Sequence, residues 1–370
     1  MKEIREILNR LSEIGDDEVA VLATVIDVNG SGYRRPGAKM LILRDGRTFG
    51  MVSGGCLEAD LIERTAALFA DRRPRLITYD TTNDDRSVFN LNMGCRGVLR
   101  LLIEVVTPKS GIIEILGRVY LERRVIVTAV VVSSESPTIA IGSRLSSDGS
   151  SPTDPDGLSN AFPLIKDDLL TFFGARSGLE TIEYEIDGQI VELAFENVQP
   201  PVQLLILGAG ADAVPLASMA HEVGWQVSVF DHRQAFLSKD RFPDAKDLVL
   251  LDRDASPDLH SDTRTAIVAM NHNYERDKVM IGASIPTNSF YLGALGPKER
   301  TRQILKELEA EGGRFAPEQM AKLYAPAGLD LGGDSPESIA LSIIAEIQAV
   351  LLEREGGHLR DREGSIYDRK

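Results

Sequence analysis

Between Val202 and Asp231 the chain runs an apolar stretch, Val202 to Leu207, straight into Gly208-Ala209-Gly210-Ala211-Asp212-Ala213. A helical segment through Pro215 to Val223 follows, then a second apolar stretch, Gln226 to Phe230, that ends on Asp231. A first glycine permits the tight turn, a second lets backbone approach a pyrophosphate, and a small third residue lets helix and strand pack closely. Amides at the helix N-terminus favour negative groups. Asp231 falls where an acid binds ribose hydroxyls. Strand, turn, helix, strand and acid together predict a Rossmann-type domain. They point less directly to a bound ligand, since fold does not fix function.

The same texture continues downstream. Asp247 to Leu251, Thr265 to Met270 and Ser289 to Leu292 are further short strand candidates separated mostly by helical stretches, which implies βαβ units and a parallel sheet. Asp334-Ser335-Pro336-Glu337 reads as a helix start, and the helix it opens is expected to stop at Gly356-Gly357. Gln199-Pro200-Pro201 marks the main boundary. The expected organisation is an N-terminal domain over 1–200, a Rossmann-like domain over 201–333, a C-terminal helix over 334–355 and a tail over 356–370.

The N-terminal part reads differently. Ile4, Ile7, Leu8 and Leu11 recur at helical spacing. Val19 to Val28, Met40 to Leu43 and Thr48 to Val52 are strand-like, the last two flanking the hairpin dipeptide Asp45-Gly46. Cys56 to Ala70 turns helical, and Val98 to Val106 returns to strand. Residues 107–200 read as a strand-rich extension: Val125 to Val132, Thr138 to Ile141, and a hairpin from Ile182 to Phe195 turning at Asp187-Gly188. Ser146 to Gly157 reads as a surface loop. The fold class is therefore α/β, a Rossmann-like parallel sheet domain preceded by an α+β, strand-rich N-terminal domain.

Composition excludes several roles. Lys and Arg total 41 against 56 Asp and Glu, a formal charge of −15, so the chain repels phosphate backbones and anionic lipid. No nucleic acid and no membrane are expected as partners. Val125 to Val132 is too short to span a bilayer, and Met1 to Arg5 opens no signal peptide. With only two cysteines, Cys56 and Cys95, there is no disulfide framework, and a cytoplasmic protein is expected. No zinc, calcium, P-loop or nucleophile-elbow spacing occurs, so no metal site is expected.

Several residues are placed for chemistry. Gly30-Ser31-Gly32-Tyr33-Arg34-Arg35-Pro36-Gly37 is a glycine- and arginine-rich loop able to cradle an anion, with Ser31 and Arg35 as its polar groups. Ser53-Gly54-Gly55-Cys56-Leu57-Glu58 sets Cys56 near a helix N-terminus, where the dipole favours a thiolate, although Glu58 and Asp60 oppose that shift. Cys95 sits in a second glycine turn beside Arg96. Two buried cysteines next to turn glycines are the plainer reading. In the C-terminal half, His232 and Arg233 beside Asp231 either touch an anionic ligand or are exposed loop residues. His272, just after a strand, is either a ligand-edge residue or a surface histidine.

Taken together these residues resemble the xanthine dehydrogenase accessory factor family, XdhC/CoxI. The likeness runs through Gly30-Ser31-Gly32, Arg35-Pro36-Gly37-Ala38-Lys39-Met40, Gly50 to Glu58 and Met93-Gly94-Cys95. It continues through Leu207-Gly208-Ala209-Gly210, Asp231-His232-Arg233, Arg241-Phe242-Pro243, Asn271-His272, Leu292 to Gly296, Gly328 to Gly332 and Ser335 to Ala340. Ala211, Arg96 and Asn271 depart from the residues usual at those places. The resemblance implies a maturation factor that binds the molybdenum cofactor (molybdopterin), supports its sulfuration with a cysteine desulfurase and inserts it into a xanthine dehydrogenase-type apoenzyme. Cys56 and Cys95 would handle sulfur or cofactor. Ser31, Arg35, Ser53, Gly54, Gly55, Glu58, Gly208, Gly210, Asp231, His232, Arg233 and His272 would bind it. The Rossmann half would hold the cofactor's nucleotide or an independent NAD(P). A cofactor carrier rather than a turnover enzyme is implied. The alternative is an NAD(P)-dependent oxidoreductase with His272 as proton donor, and a third reading is an acidic scaffold. A homodimer is also expected, from open sheet edges and the apolar terminal helix.

Overall fold

The computed structural model describes residues 1–30, 34–55, 57–80, 97–150, 152–154, 158, 162–174, 178–252 and 256–363. The chain divides at the proline pair into two compact units, Met1–Pro200 and Pro201–Lys370.

The first unit begins with α1 (Lys2–Ser12), β1 (Ala20–Gly30), β2 (Lys39–Ile42), β3 (Thr48–Gly50), α2 (Glu58–Thr65), α3 (Leu68–Asp71), β4 (Arg75–Asp80) and β5 (Gly97–Val106). Its antiparallel sheet has the order β3-β2-β1-β5-β4. Period-two alternation gives each strand two apolar faces. Ala20, Leu22 and Leu41 pack with Ile4, Ile7 and Leu11 of α1, while Val21, Ala23 and Met40 pack with Leu61 and Leu68 behind them. The helix expected over Cys56 to Ala70 is broken in two. Thr65 donates its hydroxyl to the Ile62 carbonyl at 2.8 Å, and the Ala66 amide pairs three residues back with Glu63, which tightens and ends the helix.

The chain goes on through α4 (Gly111–Leu121), β6 (Ile126–Ser134), β7 (Arg144–Ser147), α5 (Phe162–Gly174), β8 (Gly178–Ile186) and β9 (Gln189–Val198), with a second antiparallel sheet, β7-β6-β9-β8. The expected hairpin at Asp187-Gly188 is present, with φ of 53° and 76° at the two residues, the left-handed pair that a two-residue hairpin turn requires. Three expectations fail here. The surface loop expected from Ser146 begins inside β7, where Ser146 and Ser147 are buried and Ser146 pairs with Thr153. The region carries two helices besides its strands; α4 hides in β-branched sequence, although Ile112, Ile113, Leu116 and Val119 keep helical spacing and are buried. Thr138 to Ile141 is not a strand. Pro137 lacks an N–H, and the Ser136 and Thr138 amides donate to the Ser134 and Ser136 hydroxyls instead of to a neighbouring strand. Buried ion pairs join the two sheets: Lys39 to Glu196 at 2.6 Å and Arg144 to Glu104 at 3.0 Å.

The second unit carries β10 (Gln203–Leu207), α6 (Ala213–Glu222), β11 (Gln226–Asp231), β12 (Asp247–Leu250), β13 (Thr265–Ala269), α7 (Tyr274–Ser284), β14 (Tyr291–Ala294), α8 (Lys298–Ala310), α9 (Pro317–Ala321), β15 (Leu323–Tyr324) and α10 (Pro336–Leu351). Every pairing is parallel and the order is β12-β11-β10-β13-β14-β15. Leu204 and Ile206 face α6 and α10; Leu205 and Leu207 face α7 and α8. α10 therefore shares the core of this unit, through Ala340, Ile343 and Ile347. Ser335 caps it by accepting the Ser338 amide at 3.2 Å. It stops at Leu351, short of Gly356. Glu353 takes the left-handed conformation, φ 52°, and the Arg354 and Glu353 amides close back on Ala349 and Val350. That is the six-to-one and five-to-two closure that ends a helix. Among the described residues no helix is long and apolar enough to cross a membrane.

Candidate functional site

The sheet order of the second unit is the doubly wound 3-2-1-4-5-6, so the chain reverses direction beside β10, and ligands in such folds bind outside the carboxyl ends of the strands there. Gly208-Ala209-Gly210, Asp231-His232-Arg233 and Asn271-His272 leave β10, β11 and β13 at that edge. Gly208 has φ 120°, and a Cβ there would stand 2.6 Å from the Met270 carbonyl oxygen. Only glycine lets the turn pass the end of β13 this closely.

Asp231 is fully buried, and its carboxylate accepts four hydrogen bonds. They come from the Ala209 amide at 2.7 Å, the Arg233 amide at 2.8 Å, and Arg233 Nε and Nη2 at 2.9 and 2.8 Å. Burial pushes this carboxyl up, but the Arg233 guanidinium and the two amides outweigh it and hold it at about 2. A carboxylate offers about four lone-pair sites. Asp231 thus fastens the glycine turn to the crest of β11, and a ribose diol finds no acceptor left on it. In this respect the site does not fit the usual dinucleotide mode.

Arg233 and Arg241 both lie over the Phe236 ring, 4.0 and 5.0 Å from its centroid. Arg241 donates to the Gly210 carbonyl at 3.1 Å and to the Phe236 carbonyl at 2.8 Å. His232 Nδ1 is buried 3.4 Å from Asp231 Oδ1 without a hydrogen bond. On the other side of the turn His272, at φ 54°, meets Asp212 through Nε2 at 2.7 Å. The other Asp212 oxygen is buried against Gly210 with no hydrogen-bond partner among the described residues. Asn271 is fixed by Asp277, which accepts its amide and side chain at 3.0 Å each, and Asp277 in turn meets Arg300 at 2.6 Å. Asp212, Arg241 and Asp277 are not among the residues the sequence singles out as ligands. Arg241 was visible in Arg-Phe-Pro; the pairing of Asp212 and Asp277 with loops on other strands was not.

In the first unit the chain leaves β1, β3 and β4, and enters β5, at one end of the sheet. The loop after β3 is built by Glu58. Its carboxylate accepts the Ser53 hydroxyl, the Ser53 amide at 2.9 Å and the Leu57 amide at 3.2 Å. Ser53 Oγ in turn accepts the Gly55 and Leu57 amides at 3.2 Å. Gly54 and Gly55 are exposed, Gly55 at φ 103° with no described atom near its missing Cβ. Arg35 is exposed, and its carbonyl accepts the Ala38 amide. The expectations for Ser31, Cys56 and Cys95 lie outside the described residues. Among the described residues no group of three His, Cys, Asp or Glu could hold a metal ion.

A six-stranded parallel sheet of this order with a glycine turn at its first strand is a Rossmann domain, here preceded by an antiparallel unit. The XdhC Rossmann domain family matches residues 204–347, and the XdhC and CoxI family matches residues 14–80. The chain is 31% identical over 348 residues to a probable xanthine dehydrogenase subunit of Bacillus subtilis (strain 168), covering 94% of this chain and 97% of that one. It is 26% identical to the molybdenum cofactor insertion chaperone PaoD of Escherichia coli (strain K12), over 91% of this chain and 85% of PaoD. It is also similar to the crystal structure of a xanthine dehydrogenase from Bacillus halodurans, with 27% identity, a TM-score of 0.70, and 96% and 97% of the two chains covered. The chain belongs to the XdhC/CoxI family.

Proposed function

We propose that this chain is an accessory factor of a xanthine dehydrogenase-type enzyme, and that it carries the molybdenum cofactor and inserts it into the apoenzyme. The observation that carries this reading is likeness to a molybdenum cofactor insertion chaperone along nine-tenths of the chain, 91%, so that both units take part. The chemistry of the residues supports it. A pterin dithiolene with a phosphate or nucleotide needs an anion cradle and places for sulfur. The loops after β1 and β3 and before β5, which carry Ser31, Arg35, Cys56 and Cys95, leave one sheet at the same end. In this reading Cys56 or Cys95 handles sulfur, a cysteine desulfurase supplies it, and the carrier acts in the cytoplasm as a homodimer. The internal clasp on Asp231 weighs against an oxidoreductase that reads NAD through its free ribose diol.

The test is molybdenum by elemental analysis and released pterin by fluorescence, on protein from a host that makes molybdopterin. Near-stoichiometric pterin that Cys56→Ala, Cys95→Ala or Arg35→Ala removes is the expected result. Absence of pterin and molybdenum from the wild type refutes the reading.

A further inference from the structure

We infer that the crest between β11 and the glycine turn is a phosphoryl-binding site, with Arg241 as its binding residue, and that it selects a phosphorylated group over a free ribose diol. The inference deepens the carrier reading and rests on it only for the rest of the ligand.

Two observations meet here. The acid that would read a diol is closed, since both Asp231 oxygens hold two donors each. The cation next to it is open. Arg233 is neutralised by Asp231, whereas among the described residues Arg241 has no carboxylate within ion-pair distance and donates only to the Gly210 and Phe236 carbonyls. A half-buried guanidinium held by neutral carbonyls keeps its full charge and is fixed in place, and its planar fork suits phosphate. Phe236 stacks beneath both guanidiniums and holds them in one neighbourhood. Asp212, the acid on the far side of the turn, is engaged by His272 at 2.7 Å. Arg241 is thus a cation with no described carboxylate partner where a Rossmann ligand's ribose would lie, and a phosphate on that ribose, or the phosphate of a pterin, answers it.

The experiment is calorimetric titration of the purified full chain with adenosine 2′,5′-bisphosphate and with AMP, which differ by one phosphoryl group on the ribose. The bisphosphate should bind at least about tenfold more tightly, a difference of about 1.4 kcal/mol. Arg241→Gln should abolish that preference, and Arg241→Lys, which keeps the charge, should retain part of it. Thermal melts establish that both variants are folded. Should Arg241→Gln fail to fold, the wild-type preference must still shrink as salt is raised, because it is a charge effect. Equal affinities, no binding of either probe, an undiminished preference in folded Arg241→Gln, or a salt-independent preference overturns the inference. Pterin content separates the two readings. Pterin retained equally on wild type and Arg241→Gln, with no bisphosphate preference, leaves the carrier standing and this site refuted. No pterin, with Arg241-dependent bisphosphate binding, does the reverse.

Discussion

Two glycine turns, one in each unit, are each tied down by an acid, yet they are built to different ends. At Gly208 the turn is wedged: a Cβ would strike the Met270 carbonyl at 2.6 Å, and the acid that holds it, Asp231, is buried and satisfied on every side by Ala209 and Arg233. At Gly55 the backbone also needs positive φ, 103°, but the space around the missing Cβ is open among the described residues. The acid that holds it, Glu58, works through Ser53 and two amides, with no described cation paired to it. A glycine required by a neighbouring backbone is a packing element. A glycine required only by its own dihedral, in an exposed loop, leaves room for something else to approach. By that criterion the loop after β3 is the more accessible of the two, and the glycine turn of the Rossmann sheet is a rigid frame whose ligand contacts come from beside it.

The largest effect expected from breaking this contrast is at Gly208. Gly208→Ala combines a left-handed backbone with an unavoidable backbone clash, and should destabilise the second unit by about 4 kcal/mol, read as a lower urea midpoint. Asp231→Ala should follow at about 3 kcal/mol, because it strands the Ala209 amide and the Arg233 charge, the latter partly relieved by solvent. Asp231 also sets a pH dependence. Its carboxyl lies at about 2 in the folded chain, below the ordinary value of about 3.9, so its stabilisation is complete above about pH 4 and is lost as pH falls toward 2. Denaturation midpoints across that window should fall more steeply for the wild type than for Asp231→Asn; parallel slopes would show that the clasp contributes nothing.

The Rossmann unit was legible because its pattern is local. A five-residue apolar strand, Gly-Ala-Gly and a terminal acid lie within about one βαβ unit, and the structure returns β10, α6 and β11 nearly where the residues place them. Asp45-Gly46 and Asp187-Gly188 fixed two hairpins for the same reason. What was not legible depends on residues far apart. α4 looks like a strand in Ile112, Ile113 and Ile115 until it is packed against α1 and β1. The two-residue strand β15 is defined by its distant pairing with β14, where the Leu292 amide reaches the Lys322 carbonyl at 2.8 Å. Asp231 stands at the end of β11 where the pattern places it, but that its carboxylate takes up Ala209 and Arg233 is decided by side-chain direction across two strands. Glu58 is the same case: that its oxygens hold Ser53 and Leu57 of its own loop is not visible in the residue order.

Smaller effects are expected in the loop after β3. Glu58→Gln keeps an acceptor for the Ser53 amide and removes the charge, so it should lower stability by about 1 kcal/mol, well below Asp231→Ala. Gly55→Ala meets no steric resistance, since no described atom lies within reach of the new methyl, and only the dihedral resists it, at about 1 kcal/mol or somewhat more. If the loop after β3 is an approach surface for cargo, these two variants should lose pterin out of proportion to their loss of stability, whereas Gly208→Ala should lose pterin only as it loses fold. Melting temperature and pterin content measured on the same preparations decide it. Should Gly55→Ala melt normally and retain full pterin, the openness around Gly55 has no bearing on cargo, and the distinction between the two turns reduces to packing alone.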